Sequence, residues 1–194
     1  MIYSAYSKGA NFNTLEEQRK ASLELISYGL DLEFHIKEED FHLDYSPLGK
    51  PSLREYKGIN ISLAHCLHGV TAILSRERVG IDIEKVRPYN IYAARKILDE
   101  VELKRVEASK DPSREFFRYW TLKESFIKAI GMGLSYPMKT IQFYIEEDGQ
   151  VRSNHKESKF SLYEHDLGFV VAVCQLVGSS TETSRLWEQK FTLP

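Results

Sequence analysis

Apolar and polar positions alternate along this chain with two different periods, and the changes of period mark its elements. Residues 1–6, Met1-Ile2-Tyr3-Ser4-Ala5-Tyr6, alternate as a short strand. Thr14 followed by Glu17 forms a capping-box pattern, and Leu15, Leu23, Leu25 and Ile26 carry a helix onward, with Gly29 as its expected stop. A polar stretch over 37–44 leads into the loop Ser46-Pro47-Leu48-Gly49-Lys50-Pro51. Residues 59–66 and 70–74 read as strands joined by a turn at Leu67-His68-Gly69. After a turn around Arg76-Glu77-Arg78, the alternating Val79-Gly80-Ile81-Asp82-Ile83-Glu84 is a further strand, and Pro88 closes the unit.

The second half opens on one or two helices over 92–110, ended before Asp111-Pro112. Ser113 is the expected cap of the next helix, 114–130, which stops at Gly131-Met132-Gly133. Strands resume over 140–145, with Glu147-Asp148-Gly149 as a hairpin turn, and over 160–163 and 169–176. Residues 178–183 read as a linker, and the segment around Trp187 has no readable pattern.

A faint repeat links the halves. With one offset of 99 residues, Ser62-Leu63 and Gly69 match Ser161-Leu162 and Gly168, and Glu16, Arg19 and Leu23 match Glu115, Arg118 and Leu122. A shared offset of about half the chain predicts an α+β protein of two similar α/β lobes. The expected division is 1–88 for the first lobe, 89–178 for the second and 179–194 for a C-terminal tail.

Composition narrows the class. With 194 residues, 42% of them hydrophobic, and only 11 Gly and 6 Pro, the chain can bury a core and is not low-complexity. Lys+Arg of 26 against Asp+Glu of 28 gives a net charge of −2, which offers no overall attraction to nucleic acid or an anionic membrane. The two cysteines, Cys66 and Cys174, form no CxxC pair and suit a reducing compartment. The longest apolar run, 169–174, is far short of a membrane span, and the N-terminus lacks the apolar stretch of a signal peptide, so a cytoplasmic protein is expected.

Three segments carry chemistry. In Gly80-Ile81-Asp82-Ile83-Glu84, strand alternation turns Ile81 and Ile83 to one face and Asp82 and Glu84 to the other. Adjacent carboxylates repel by about 1 to 4 kcal/mol at contact distance unless water or a cation intervenes, and oxygen ligands of this kind suit Mg²⁺. An ordinary amphipathic strand with a wet acidic face is the alternative. In the second segment, Trp120, Lys123, Glu124, Ile127 and Lys128 share one face of a helix, while Tyr119, Leu122, Phe126 and Ile130 form an apolar face. That charged face is costly to bury without partners, and Glu124 with Lys128 could equally be a surface pair. The third is Ala64-His65-Cys66-Leu67-His68. A zinc site here lacks a second donor pair, and neighbouring strand residues point to opposite faces, whereas a histidine at a strand end can donate to a phosphate.

The order of these segments resembles the 4′-phosphopantetheinyl transferases of the larger, single-chain Sfp type, whose signatures are Gly-(Ile/Val)-Asp-x-Glu and Trp-x-x-Lys-Glu-(Ser/Ala)-x-x-Lys. Gly49-Lys50-Pro51 is similar to the family's upstream Gly-Lys-Pro, and Gly131-Met132-Gly133-Leu134 to its Gly-x-Gly-Leu; the resemblance runs from about Leu48 to Leu176. It implies two α/β lobes related by a pseudo-twofold. It also implies transfer of the phosphopantetheine arm of coenzyme A to a serine of an apo acyl or peptidyl carrier protein, with Mg²⁺ as cofactor and release of 3′,5′-ADP.

By that resemblance Asp82, Glu84 and Glu124 hold the metal, and Glu124 is the base for the carrier serine, directly or through a metal-bound water. Lys128 steadies the departing 3′,5′-ADP, and His65 and Lys50 hold phosphates. Lys123 contacts phosphate or braces the acidic cluster. The chain departs from the family in having Ala64 and Cys66 where Ser is usual, and in a shorter N-terminal part, for which Arg19 and Lys20 are the nearest basic substitutes. Arg95, Lys96, Lys104 and Arg105 are candidate contacts for an acidic carrier helix. A monomer is expected, since both lobes lie in one chain. The competing readings are the shorter, trimeric holo-acyl-carrier-protein synthase subclass and a coenzyme A- or carrier-binding protein without transferase activity. A nucleic-acid module is disfavoured because no basic stripe with interleaved aromatics occurs.

Overall fold

The computed structural model describes residues 1–9 and 11–177, without the side chain of 134, and the backbone of 188–190. The expected linker over 178–183, and Trp187, lie outside the described residues.

The first half begins with strand β1 (Ile2–Tyr6) and helix α1 (Leu15–Phe34). The Thr14–Glu17 capping box forms as expected, each side chain satisfying the other's backbone N–H. Gly29 does not stop the helix. It is buried under a close crossing, where an added Cβ would lie 2.6 Å from Tyr3 Cε2 and 2.7 Å from Leu74 Cδ1. Six residues later His35, in the left-handed region at φ 56°, ends the helix instead. The loop around Pro47 is the tip of a small hairpin, β2 (Leu43–Tyr45) and β3 (Pro51–Leu53). Strands β4 (Asn60–Cys66) and β5 (Gly69–Ser75) follow.

The second half repeats this plan. Strand β6 (Val79–Lys85) is followed by helices α2 (Ile91–Ile97), α3 (Glu100–Ala108) and α4 (Pro112–Ile130). Asp111, not Ser113, caps α4: its carboxylate accepts from Arg114 N, and Pro112 takes the first-turn position where its missing N–H costs nothing. A small hairpin, β7 (Phe143–Ile145) and β8 (Val151–Ser153), precedes the long pair β9 (Ser158–His165) and β10 (Phe169–Leu176). Strand β7 starts later than expected because residues 138–140 form a 3₁₀ turn. A short strand β11 (Glu188–Lys190) pairs in parallel with β1.

Each half thus runs strand, helical layer (one helix in the first half, three in the second), small hairpin, strand, strand. The sheets share one order as well, β1-β5-β4 and β6-β10-β9, all antiparallel, with β11 added outside β1. The expected pair of similar α/β lobes is therefore present in the topology. By backbone pairing β6, which the sequence placed in the first lobe, is hydrogen-bonded to β10 of the second.

The layers stack as helix, sheet, sheet, helix. Ala21, Leu25, Ile26 and Leu30 of α1 pack with Tyr3, Ala5, Val70, Ala72 and Leu74. Between the two sheets lies an apolar seam of Ile2, Ala64 and Ile73 against Val79, Ile81, Ile83, Phe169, Val171 and Val173. On the far side α4 packs its aromatic and aliphatic residues on Val170, Ala172 and Cys174. Alternation along β6 does what the pattern predicts: Ile81 and Ile83 enter the seam, leaving Asp82 and Glu84 for the face that α4 covers.

Candidate active site

Gly80 sets how closely α4 crosses that face. A Cβ there would meet Ser125 O at 2.0 Å and Ala129 N at 2.4 Å, both backbone atoms of the helix. Only glycine allows this approach, and the approach brings Trp120, Glu124 and Lys128 down beside Asp82 and Glu84.

The acidic groups sit in different surroundings. Asp82 is 7% exposed, and its Oδ1 accepts from Lys128 Nζ at 2.7 Å while its buried Oδ2 has no partner. Burial pushes its pKa up to about 6 against the pull of Lys128. Glu124 is 8% exposed and its Oε1 is likewise buried and unpartnered. Burial, then the Asp82 charge, raises it to about 7. Glu84 has both oxygens engaged, Oε1 by the Trp120 indole N–H at 3.1 Å and Oε2 by Arg87 Nη1 at 2.6 Å. The tryptophan of the helix motif is thus a fixed donor that orients a carboxylate of the strand motif.

Among the described residues no three Asp, Glu, His or Cys side chains converge closely enough to cage a metal, so the His65-Cys66-His68 zinc possibility finds no support. His68 instead bonds Asn11 O through Nδ1 at 3.1 Å. The acidic group still suits a hard cation. Two buried carboxylate oxygens have no partner, on groups whose pKa values burial raises despite Lys128, and Mg²⁺ keeps several waters and needs only one or two protein carboxylates.

Two adjoining grooves open beside this group, reaching it at Glu124 and Lys128. One, of about 700 Å³, lies between α1, the β2–β3 hairpin and β4, and is lined by Arg19, Ser22, Tyr45, Gly49, His65 and Lys128. The other, of about 340 Å³, continues past Leu48 and Ser62 to Glu124, Lys128 and Gly133. Lys128 lines both. His65 faces the larger groove from the end of β4, and partial burial, then the Lys128 and Arg19 charges, hold its pKa below the usual imidazole range. Glu124 and Lys128 of α4 and His65 of β4 therefore border one continuous cleft.

Two expected site residues are placed elsewhere. Lys123 is fully buried on the opposite flank of α4, paired with Glu102 Oε2 at 2.7 Å and donating to the carbonyls of Met138 (3.1 Å) and Ile141. It neither meets the grooves nor touches Asp82, Glu84 or Glu124. The cause is angular: at 3.6 residues per turn, Lys123 and Lys128 stand about 140° apart around the helix, too wide for one site. Lys50 lines the smaller groove, but its ammonium donates to Lys128 O at 2.7 Å and Ala129 O at 2.9 Å. With Arg78, which donates to Ile130 O at 2.8 Å, it satisfies the carbonyls left open at the C-terminus of α4. Burial, then Arg78, lowers its pKa to about 8. Of the basic candidates on the middle helices, Arg105 is folded over the Tyr144 ring at 3.7 Å, while Arg95, Lys96 and Lys104 are exposed. Arg87 belongs to no motif and was missed; a basic residue three positions past Glu84 was the available signal.

Comparison with known proteins supplies the family. The model described as 4′-phosphopantetheinyl transferase superfamily matches residues 78–174, half of the chain. The chain belongs to that superfamily. The matched span runs from the residue before β6 into β10, so it holds the acidic strand, α4 and the second sheet. As a member of the superfamily, the chain is 28% identical over 156 residues to 4′-phosphopantetheinyl transferase Sfp of Bacillus subtilis (strain 168), covering 77% of this chain and 70% of that protein. It is 32% identical over 157 residues to 4′-phosphopantetheinyl transferase gsp of Aneurinibacillus migulanus, covering 77% and 65%. It therefore spans about two thirds of the length of these relatives. Among solved structures, the Thermotoga maritima holo-[acyl-carrier-protein] synthase aligns at 31% identity over 51% of this chain and 62% of its own, with a TM-score of 0.44.

Proposed function

We propose that this chain transfers the 4′-phosphopantetheine arm of coenzyme A to a serine hydroxyl of an apo acyl or peptidyl carrier protein, with Mg²⁺, releasing 3′,5′-ADP. The observation that carries the reading is the pair of buried, unpartnered carboxylate oxygens, Asp82 Oδ2 and Glu124 Oε1: Glu124 lines the cleft that His65 also borders, and Asp82 is paired to Lys128 of that cleft. Family membership and the names of the relatives support it.

Each residue has a role under this reading. The larger groove takes the nucleotide end of coenzyme A, where Arg19 and a His65 N–H meet phosphate oxygens. Asp82, Glu84 and Glu124 are the residues that would hold Mg²⁺, which supplies neutralisation of the charge that builds on the pyrophosphate. Glu124, with a pKa near 7, takes the proton of the carrier serine as its oxygen attacks phosphorus and the pyrophosphate P–O bond breaks. Lys128, on both grooves, places its ammonium beside the departing phosphate. Lys50 shapes the groove wall from behind rather than reaching the phosphates. The chain works as a monomer in a reducing compartment, in keeping with its two lobes and two free cysteines. No helix among the described residues is long and apolar enough to cross a membrane.

The test is intact-mass measurement of a panel of apo carrier proteins after incubation with the chain, coenzyme A and Mg²⁺. The expected result is a gain of one phosphopantetheine arm, abolished by chelator. No gain on any carrier, with coenzyme A still bound, would sink the transferase reading in favour of a binding protein.

A further inference from the structure

We infer that Arg87 is a built-in counter-cation that occupies Glu84 and competes with a divalent ion for the acidic site. This rests on the reading of Asp82, Glu84 and Glu124 as a cation site, and goes beyond it by explaining why the three carboxylates do not already converge.

The acidic group is arranged unequally. Asp82 and Glu124 each keep one buried oxygen with no partner. Glu84 keeps neither oxygen open. Trp120 holds Oε1 in a fixed direction at 3.1 Å, and Arg87 holds Oε2 at 2.6 Å. Two of the three carboxylates thus meet an internal cation, Lys128 at Asp82 and Arg87 at Glu84; Arg87 lowers the negative charge a metal would meet and occupies an oxygen donor.

Arg87 is seated so that it can let go. Its guanidinium also donates to the carbonyl of Lys85 at 3.0 Å and lies 4.5 Å over the Phe117 ring. Those two anchors do not involve Glu84, so the side chain keeps a place when the carboxylate turns inward. The ion pair is also wet on one side, with Arg87 56% exposed against 17% for Glu84. Exposed pairs of this kind are worth about 1 kcal/mol or less, weak enough for a divalent ion to displace. Lys128 is the other internal cation, on Asp82 Oδ1, but it borders both grooves and cannot be removed without disturbing the cleft. Arg87 lines neither groove.

The experiment is Mn²⁺ binding to the full chain without coenzyme A, measured by electron paramagnetic resonance of free Mn²⁺. Thermal unfolding checks that each variant is folded. Arg87→Gln is expected to tighten Mn²⁺ binding about fivefold, the worth of the displaced pair. The gain should vanish when Glu84→Gln is added, and should shrink at high salt as the screening of a partly exposed cation requires. Arg152→Gln, which removes an exposed arginine paired with Glu146 on the β7–β8 hairpin, should leave binding unchanged. Unchanged or weaker binding in Arg87→Gln overturns the inference, as does an equal gain in Arg152→Gln, which would mark a net-charge effect. Absence of Mn²⁺ binding in the unaltered protein would fail the cation-site reading itself, so the two failures are distinguishable.

Discussion

The two lobes share a plan but use the space between helix and sheet differently. In the first lobe the small residue at the crossing is Gly29, on the helix, lying against the ends of Tyr3 and Leu74. In the second it is Gly80, on the strand, lying against helix backbone. Placing the gap on the strand lets α4 descend until its polar residues reach the carboxylates of β6. In the first lobe the corresponding layer is filled by Tyr3, Ala5, Val70, Ala72 and Leu74. A second contrast sits at positions matched by the 99-residue offset. Arg118 of α4 is neutralised by Glu164 of β9 and by Glu115, whereas Arg19 of α1 stands near His65 of β4 and depresses its pKa. Where one lobe carries a carboxylate, the other carries an imidazole, leaving positive charge on the groove.

The contrast can be broken most forcefully at its chemical end. Glu124→Gln should lower transferase turnover by about 10²- to 10⁴-fold with the thermal midpoint held or raised, since an unneutralised buried carboxyl is removed. Retained turnover would mean that the second lobe's polar layer is not the reacting centre. Next in size is Lys123→Met, which strands Glu102 in the core and should cost about 3–5 kcal/mol of stability by urea unfolding. A cost below about 1 kcal/mol would show that the pair is not held as described.

The glycines come third. Gly80→Ala should cost about 3 kcal/mol or more because backbone must move, and Gly29→Ala less, since side-chain ends can shift and alanine favours a helix by about 1 kcal/mol. Reversal of that order would remove the distinction drawn between the two crossings. Fourth, Arg19→Ala should raise the KM for coenzyme A about tenfold, the worth of one charge-assisted hydrogen bond, while Arg118→Ala leaves it within about twofold. Equal effects would make the two arginines equivalent after all.

The smallest effect is a pH slope. The folded pKa values of Asp82 and Glu124, raised to about 6 and about 7, exceed their unfolded ones, so their contribution to stability is complete at acid pH below the ordinary carboxylate range. It is lost progressively as pH rises from that range to about 6 for Asp82 and about 7 for Glu124. In chelator the thermal midpoint should therefore fall over that window, and the fall should flatten in Asp82→Asn with Glu124→Gln. A midpoint that climbs instead would contradict the described burial.

Much of this is legible in the sequence. Alternation along residues 79–84 places Ile81 and Ile83 in one layer and Asp82 and Glu84 in another, because strand geometry leaves two choices. The offset of 99 finds the repeated plan because paired strands keep their length. What was not legible depends on the third dimension. Helical spacing groups Lys123 with Lys128 because a shared face is broad, and only the placement of α3 decides that Lys123 turns to Glu102. Gly29 reads as a helix stop, since a sequence cannot distinguish a glycine needed for a crossing from one needed for a cap. Lys50 looks free for phosphate until the end of α4 is seen to need its ammonium.

The apolar seam between the sheets has a consequence for how such a protein can specialise. Either half alone would expose the face that holds Ile81, Ile83, Val171 and Val173, or its counterpart with Ile2, Ala64 and Ile73, and would have to cover it with another copy of itself. In an assembly of identical copies every substitution appears at each symmetry-related place. Joining two halves in one chain makes the seam a permanent intramolecular contact and lifts that restriction, so a position can become Glu164 on one side and His65 on the other.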